Sequence, residues 1–179
     1  MAKTLVLYFS KYGTTKEYAE WIAEELNGDI YSINNFNNDI LNNYDIIILG
    51  SALYAGKIIG KDIFIKNYEI LKNKKLVLFT CGLADYDKTE NINSVYNRLK
   101  KEFPEKIIEN IKIFYLRGGI NYKELTLKHR IMMWMMKKMI LRNGIEKLSE
   151  EDKKFIETYG KRVDCMNKNN IKKLLEYCK

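Results

Sequence analysis

The 179-residue chain is predicted to fold as an α/β protein, a doubly wound parallel sheet with helices on both faces. Three observations carry that expectation. Leu5–Phe9, Ile46–Leu49 and Leu76–Phe79 are continuous apolar runs, as strands covered on both faces require. Helix-period segments separate them. Small, hydroxyl-bearing or glycine-containing stretches follow each run, where such sheets place their ligands.

The first strand is Leu5–Phe9, and Ser10-Lys11-Tyr12-Gly13-Thr14-Thr15 follows it. The three aliphatic hydroxyls of Ser10, Thr14 and Thr15 and one glycine before a helix start make a cradle for one phosphate. The glycine lets the backbone come close, and the helix start offers N–H groups and partial positive charge. Tyr18, Ala19, Ile22, Ala23 and Leu26 line one helix face that stops at Asn27-Gly28. Asp29–Ile33 is a weaker strand, and asparagine-rich Asn34–Asn43 reads as a loop with a helical turn.

After Ile46–Leu49 comes Gly50-Ser51-Ala52-Leu53-Tyr54-Ala55-Gly56-Lys57, read as a loop. Ile63, Phe64, Asn67, Tyr68 and Leu71 predict one helix. After Leu76–Phe79 comes Thr80-Cys81-Gly82-Leu83-Ala84-Asp85-Tyr86. Ile92, Val95, Tyr96, Leu99 and Phe103 give a further helix, closed by Pro104, and Ile107–Leu116 the fifth strand.

Leu125–Leu141 then reads as a helix ending at Asn143-Gly144, with apolar residues on more than one stripe. Ser149 is expected to cap a closing helix carrying Phe155, Ile156, Tyr159 and Val163. Ile171, Leu174, Leu175 and Cys178 form a short terminal one. One domain spanning 1–179 is expected, with an insertion at about 117–147.

Formal net charge is +8. Between Arg117 and Lys147 stand eight basic residues against two acidic ones, whereas the rest of the chain has 23 against 21. The positive character therefore belongs to one segment. It lacks interleaved aromatic stacking platforms, which argues against nucleic acid. Cys81, Cys165 and Cys178 form no paired motif and His129 is the single histidine, so neither a disulfide frame nor a metal site is expected. The N-terminus lacks a secretory pattern, and no run reaches the roughly 20 apolar residues of a membrane span. A cytoplasmic location is the expectation. A phosphate-receiving regulatory domain of the same topology would need acidic residues near the first strand, where Lys3-Thr4 stands.

In Ser10-Lys11-Tyr12-Gly13-Thr14-Thr15 the sequence resembles flavodoxins, whose phosphate loop reads Ser/Thr-x-Thr-Gly-x-Thr. Ser10, Gly13 and Thr15 match, Thr14 adds a hydroxyl, and Tyr12 replaces a threonine. The resemblance spans about residues 3–116. It implies a flavodoxin-like three-layer sandwich with five parallel strands in order 2-1-3-4-5 and noncovalently bound FMN. The implied FMN contacts are Ser10, Lys11, Tyr12, Gly13, Thr14 and Thr15 at the phosphate. Ser51, Ala52, Leu53, Tyr54, Ala55 and Gly56 follow from the second segment, and Cys81, Gly82, Leu83, Asp85 and Tyr86 from the third. Tyr54 and Tyr86 would flank the ring, and the backbone of Cys81-Gly82-Leu83 would meet its pyrimidine edge. Cys81 reads as a small buried residue rather than a catalytic thiol.

YFSKYGTTKEYAEWIAEEL, GSALYAGK and the basic RGGINYKELTLKHRIMMWMMKK are similar to the menaquinone-dependent protoporphyrinogen dehydrogenase domain. That resemblance implies an oxidoreductase of haem biosynthesis, a protoporphyrinogen oxidase moving electrons from a porphyrinogen to a quinone, with the insertion tied to activity and to the membrane. TCGLADYD departs from both groups. The alternative is an electron carrier that docks to redox partner proteins. Three readings stand for the methionine-rich helix: core packing, peripheral contact of 123–142 with an anionic membrane at its inner face, or a partner or porphyrin surface.

Overall fold

The computed structural model describes residues 2–54, 57–142, 144 and 148–179, with Tyr54 and Glu151 described by backbone alone. They form two compact units, residues up to Gly118 with Met166–Lys179, and Gly119–Cys165.

In the first unit β1 (Thr4–Tyr8) leads to α1 (Thr14–Leu26) and β2 (Asp29–Ser32). Two 3-10 turns, Ile33–Asn35 and Asn38–Asn43, precede β3 (Ile46–Tyr54), β4 (Lys57–Ile58), α2 (Lys61–Lys66) and α3 (Tyr68–Leu71). Next come β5 (Lys75–Gly82), α4 (Thr89–Glu102), α5 (Glu105–Ile108) and β6 (Ile111–Arg117). The second unit contributes β7 (Gly119–Asn121), α6 (Leu127–Arg142), α7 (Glu150–Thr158) and β8 (Arg162–Asp164). The chain then rejoins the first unit with a 3-10 turn at Lys168–Ile171 and α8 (Lys172–Cys178).

The main sheet runs β2-β1-β3-β5-β6, all parallel, with two-residue β4 antiparallel on β3. With β4 set aside this is the expected 2-1-3-4-5 order. Alternation sorts the strand residues onto two faces. Leu5, Leu7, Ile47, Leu49, Leu76 and Leu78 pack with Leu41, Phe64, Leu71, Leu99 and Phe103. Val6, Ile46, Ile48, Val77 and Phe79 pack with Tyr18, Ile22, Ile171 and Leu174.

Tyr18 ties the second face together. Its fully buried hydroxyl donates to the Arg117 carbonyl (2.7 Å) and accepts from the Asn167 N–H (3.2 Å) and the Asn170 Nδ2 (3.1 Å). Tyr18→Phe keeps the ring but strips partners from these groups. A loss of about 2 kcal/mol in urea unfolding is expected. An unchanged midpoint would mean that water replaces the hydroxyl.

Several expected boundaries move. The helix expected from Ile63 to Leu71 is split at Asn67, whose Nδ2 donates back to the Ile63 carbonyl (2.9 Å) while its own backbone leaves the helical region. Ile107 and Ile108 belong to α5, started by Pro104, so β6 begins only at Ile111. Gly50–Lys57 is not a simple loop. β3 continues to Tyr54 because Ser51 and Ala52 stay in register with Thr80 and Cys81, and Leu53 and Tyr54 pair back on β4.

In the second unit β7 pairs antiparallel with β8. Ser149 caps α7 as expected: its Oγ accepts from the Asp152 N–H (3.1 Å), and Asp152 accepts from the Ser149 N–H (3.2 Å). The expected continuation of this helix through Tyr159 to Val163 is overturned. The helix ends at Thr158, Gly160 turns the chain at φ +84°, and Val163 lies in β8. The closing helix on the main sheet is α8. The insertion expected at about 117–147 overlaps this unit, which runs on to Cys165.

Candidate functional site

The three predicted segments meet at the carboxyl ends of β1, β3 and β5, which neighbour one another in the sheet. The chain leaves β1 with the Phe9 N–H donating to the Gly50 carbonyl (2.9 Å). Ser10 Oγ accepts from the Gly13 N–H (3.0 Å), which folds the cradle on itself. Gly13 sits at φ +95° as the N-cap of α1, and its carbonyl accepts from the Glu17 N–H (3.0 Å). A side chain at this φ is strained, so glycine is required. No side chain caps α1. Its first N–H groups therefore point, with the positive end of a 13-residue helix, at the place an anion would take.

Ser10, Tyr12 and Thr14 are half-buried, Lys11 is exposed, and the Lys11 ammonium lies over the Tyr12 ring (5.8 Å to its centroid). Thr15 is buried and hydrogen-bonded to Cys81, so its side chain joins α1 to β5. Gly118 completes the contact, its N–H donating to the Gly82 carbonyl (2.7 Å). A side chain there would press on Thr14 Cγ2.

On the second segment, Ser51 is fully buried and its Oγ donates to the Ala52 carbonyl (3.2 Å). Ala52 and Leu53 are half-buried along β3. The Tyr54 backbone pairs with Lys57, and its predicted stacking side chain, Ala55 and Gly56 lie outside the described residues.

On the third segment, Cys81 and Gly82 end β5 and Leu83 is exposed. Asp85 organises the turn: its carboxylate accepts from the Asp87 N–H (3.3 Å), and its carbonyl accepts from Asn91 Nδ2 (2.8 Å). The Tyr86 ring leans on Tyr115 with centroids 5.6 Å apart, and its hydroxyl covers Gly82, where a side chain would overlap it.

Burial pushes the Cys81 thiol up to about 12, against a smaller opposite pull from the Thr15 hydrogen bond. It is a packed, buried group, as expected. The fold favours its protonated form. That contribution to stability is complete below the thiol's ordinary value of 9.0 and is lost as pH rises toward about 12. Burial raises Tyr86 and Tyr115 to about 12 also, with the same sign. The urea midpoint is therefore expected to fall between pH 9 and 12, and iodoacetamide at pH 8 should label half-buried Cys165 long before Cys81.

Sequence reasoning missed two groups at this mouth. Thr80 lies between Ser51 and Tyr115 in the sheet register, and its buried Oγ1 has no hydrogen-bond partner among the described residues. Arg117 pairs in register with Gly82, and its buried Nε likewise has none. A hydroxyl inside an apolar run was the visible signal for Thr80. Nothing local marked Arg117, because the strand pairing brings it there.

A capless helix N-terminus folded around a glycine, beside a shelf of small residues and a buried hydroxyl awaiting a partner, defines a flavodoxin-type site. The flavodoxin domain family matches residues 5–144, and the chain belongs to that family. It is 38% identical over 128 residues to an uncharacterized protein of Methanocaldococcus jannaschii, an alignment covering 66% of this chain and 85% of that one. It is 29% identical over 126 residues to a flavodoxin of Maridesulfovibrio salexigens, covering 63% and 86%. A flavoprotein of Lactobacillus acidophilus, whose structure is in complex with FMN, is 20% identical, covering 65% of this chain and 93% of that chain, with a TM-score of 0.41.

Proposed function

We propose that this chain is an FMN-binding redox protein that transfers electrons. The observation that carries the reading is the cradle at α1, where glycine at φ +95°, Ser10 and uncapped N–H groups converge on one anion site. Those groups and Thr14 would hold the phosphate. Ser51–Leu53 would form one wall for the ring, and the backbone of Cys81–Leu83 the edge that meets its polar atoms. Thr80 and Arg117 offer unspent donors on the Gly82 side. When bound, FMN supplies the one- and two-electron chemistry of its ring. The protein contributes position, exclusion of water and neighbouring charge. Tyr86, whose phenol burial raises to about 12, sets an uncharged ring and hydroxyl beside Gly82.

Titration of the purified chain with FMN tests this. Stoichiometric quenching of flavin fluorescence and a yellow protein are expected. A colourless chain that leaves added FMN fluorescent sinks the reading.

A finer reading rests on α6, whose Met135, Met136 and Met139 stand exposed among lysines and arginines. Such a surface suits a large flat apolar ligand with carboxylate arms, and so a protoporphyrinogen whose electrons pass to a quinone. Anaerobic incubation of the FMN-loaded chain with protoporphyrinogen and menaquinone is expected to generate porphyrin fluorescence. Its absence would leave an electron carrier that serves redox partner proteins.

A further inference from the structure

Arg117 ends β6 half-buried, with its Nε enclosed and without a hydrogen-bond partner among the described residues. Its backbone is held from two sides. The Tyr18 hydroxyl donates to the Arg117 carbonyl (2.7 Å), and the following N–H, that of Gly118, donates to the Gly82 carbonyl (2.7 Å). Alternation along β6 puts the Arg117 side chain on the face that carries Ile111, Ile113 and Tyr115. In the strand pairing it stands opposite Gly82. There the Tyr86 hydroxyl closes over the glycine and the Tyr86 ring leans on Tyr115.

A guanidinium keeps its charge throughout the working pH range of a protein and carries several N–H donors. No ion pair among the described residues engages Arg117. The turn after β5 supplies two carboxylates, Asp85 and Asp87, and neither pairs with it. Asp85 accepts instead from the Asp87 N–H (3.3 Å). A partly buried cation with an enclosed, unspent donor costs stability unless an anionic group comes to meet it. The fold therefore holds one uncompensated positive charge beside Gly82, at the edge of the mouth.

We propose that Arg117 sets the reduction potential of bound FMN, its charge favouring the reduced ring over the oxidised one. The proposal rests on the FMN reading, in which the Cys81–Leu83 backbone meets the polar edge of the ring. Two electrons and one proton entering the ring leave a negative charge on that edge unless a second proton follows. The reductant gives up the same two electrons. A cation one strand away from Gly82 lowers the free energy of that charge and leaves the neutral oxidised ring nearly untouched. A cation serving the phosphate would act differently: the phosphate charge is the same in both oxidation states, so the potential would not move. With Arg117 in place the site is tuned to accept electrons rather than to deliver them at low potential.

The test equilibrates the FMN-loaded full chain with a reference dye during anaerobic reduction by dithionite. Arg117→Gln is expected to lower the equilibrium constant for reduction at least tenfold, about 30 mV for a two-electron couple. Arg117→Lys keeps the charge and should stay within about threefold of the unaltered chain. By linkage the whole shift must reappear as weaker binding of reduced FMN, while affinity for oxidised FMN stays nearly constant. Arg117→Met fills the buried stem without charge and should match Arg117→Gln, which separates charge from packing. Far-UV circular dichroism checks folding, and either neutral variant suffices alone. Lys112→Gln removes a charge from an exposed position near the other end of β6 and should leave the potential unmoved. A folded, FMN-bound neutral variant with an unmoved potential would overturn the proposal. So would equal loss of affinity for both oxidation states, or an equal shift from Lys112→Gln. An unaltered chain that binds no FMN sinks both readings, whereas FMN bound at a potential indifferent to Arg117 sinks this one alone.

Discussion

Gly50→Ala is expected to lower the unfolding free energy by about 3 kcal/mol, at the upper end for overpacking a closed core. Gly50 pairs with Tyr8 on one side and Phe79 on the other, in the middle of the parallel sheet. A β-carbon there would overlap the Phe79 ring, which is fully buried in the layer shared with Tyr18, Ala19 and Ile22. The ring has no room to retreat, and the strand cannot shift without breaking register on both edges. Phe79→Leu should relieve the overlap. The double variant is then expected to be at least 1 kcal/mol more stable than the two single losses predict by addition. Urea denaturation of the four proteins measures this, and strict additivity would show that the overlap is absorbed elsewhere.

Gly13→Val is expected to weaken FMN at least tenfold while leaving riboflavin binding nearly unchanged. The cause differs from that at Gly50. A β-carbon at Gly13 would meet nothing within 4 Å, so the penalty comes from φ +95° alone. A β-branched side chain resists that conformation by about 1–2 kcal/mol. The loop relieves the strain by turning, which withdraws the Gly13 N–H from Ser10 and from the start of α1. Only a ligand carrying a phosphate senses the change, so riboflavin is the control. Gly13→Asn should lose less, since asparagine tolerates positive φ better. A parallel loss for both flavins would mean that the variant damages the ring site or the fold.

The parallel sheet was legible because apolar runs of four or five residues need cover on two faces, whereas its strand order came only with the resemblance to flavodoxins. The glycine-bent turn Ser10–Thr15 at the start of α1 was legible because it is local: six consecutive residues contain both the donors and the glycine that bends them. The antiparallel pairing of Leu53 and Tyr54 with Ile58 and Lys57 was not legible, since nothing in GSALYAGK distinguishes a strand continuing on a neighbour from a loop. The break at Asn67 was missed because one side-chain hydrogen bond outweighs an otherwise helical period. The span from Phe155 to Val163 was read as one helix, but Gly160 at φ +84° ends that pattern and Val163 finds a strand partner in Ile120.

The sequence by itself determined what is local in the chain: the strand runs, the turn Ser10–Thr15, the N-cap at Ser149 and the confinement of charge to one segment. Each depends on neighbours a few residues apart, which the chain brings together without help. The tertiary structure alone decided that Thr15 turns inward to Cys81, that Thr80 and Arg117 bring unspent donors to the mouth, and that α6 leaves Met135, Met136 and Met139 exposed while Met132 and Met133 are half-buried. Those outcomes depend on strand register and on which helix covers which face. They are set by contacts between residues far apart in sequence, and no window along the chain contains them.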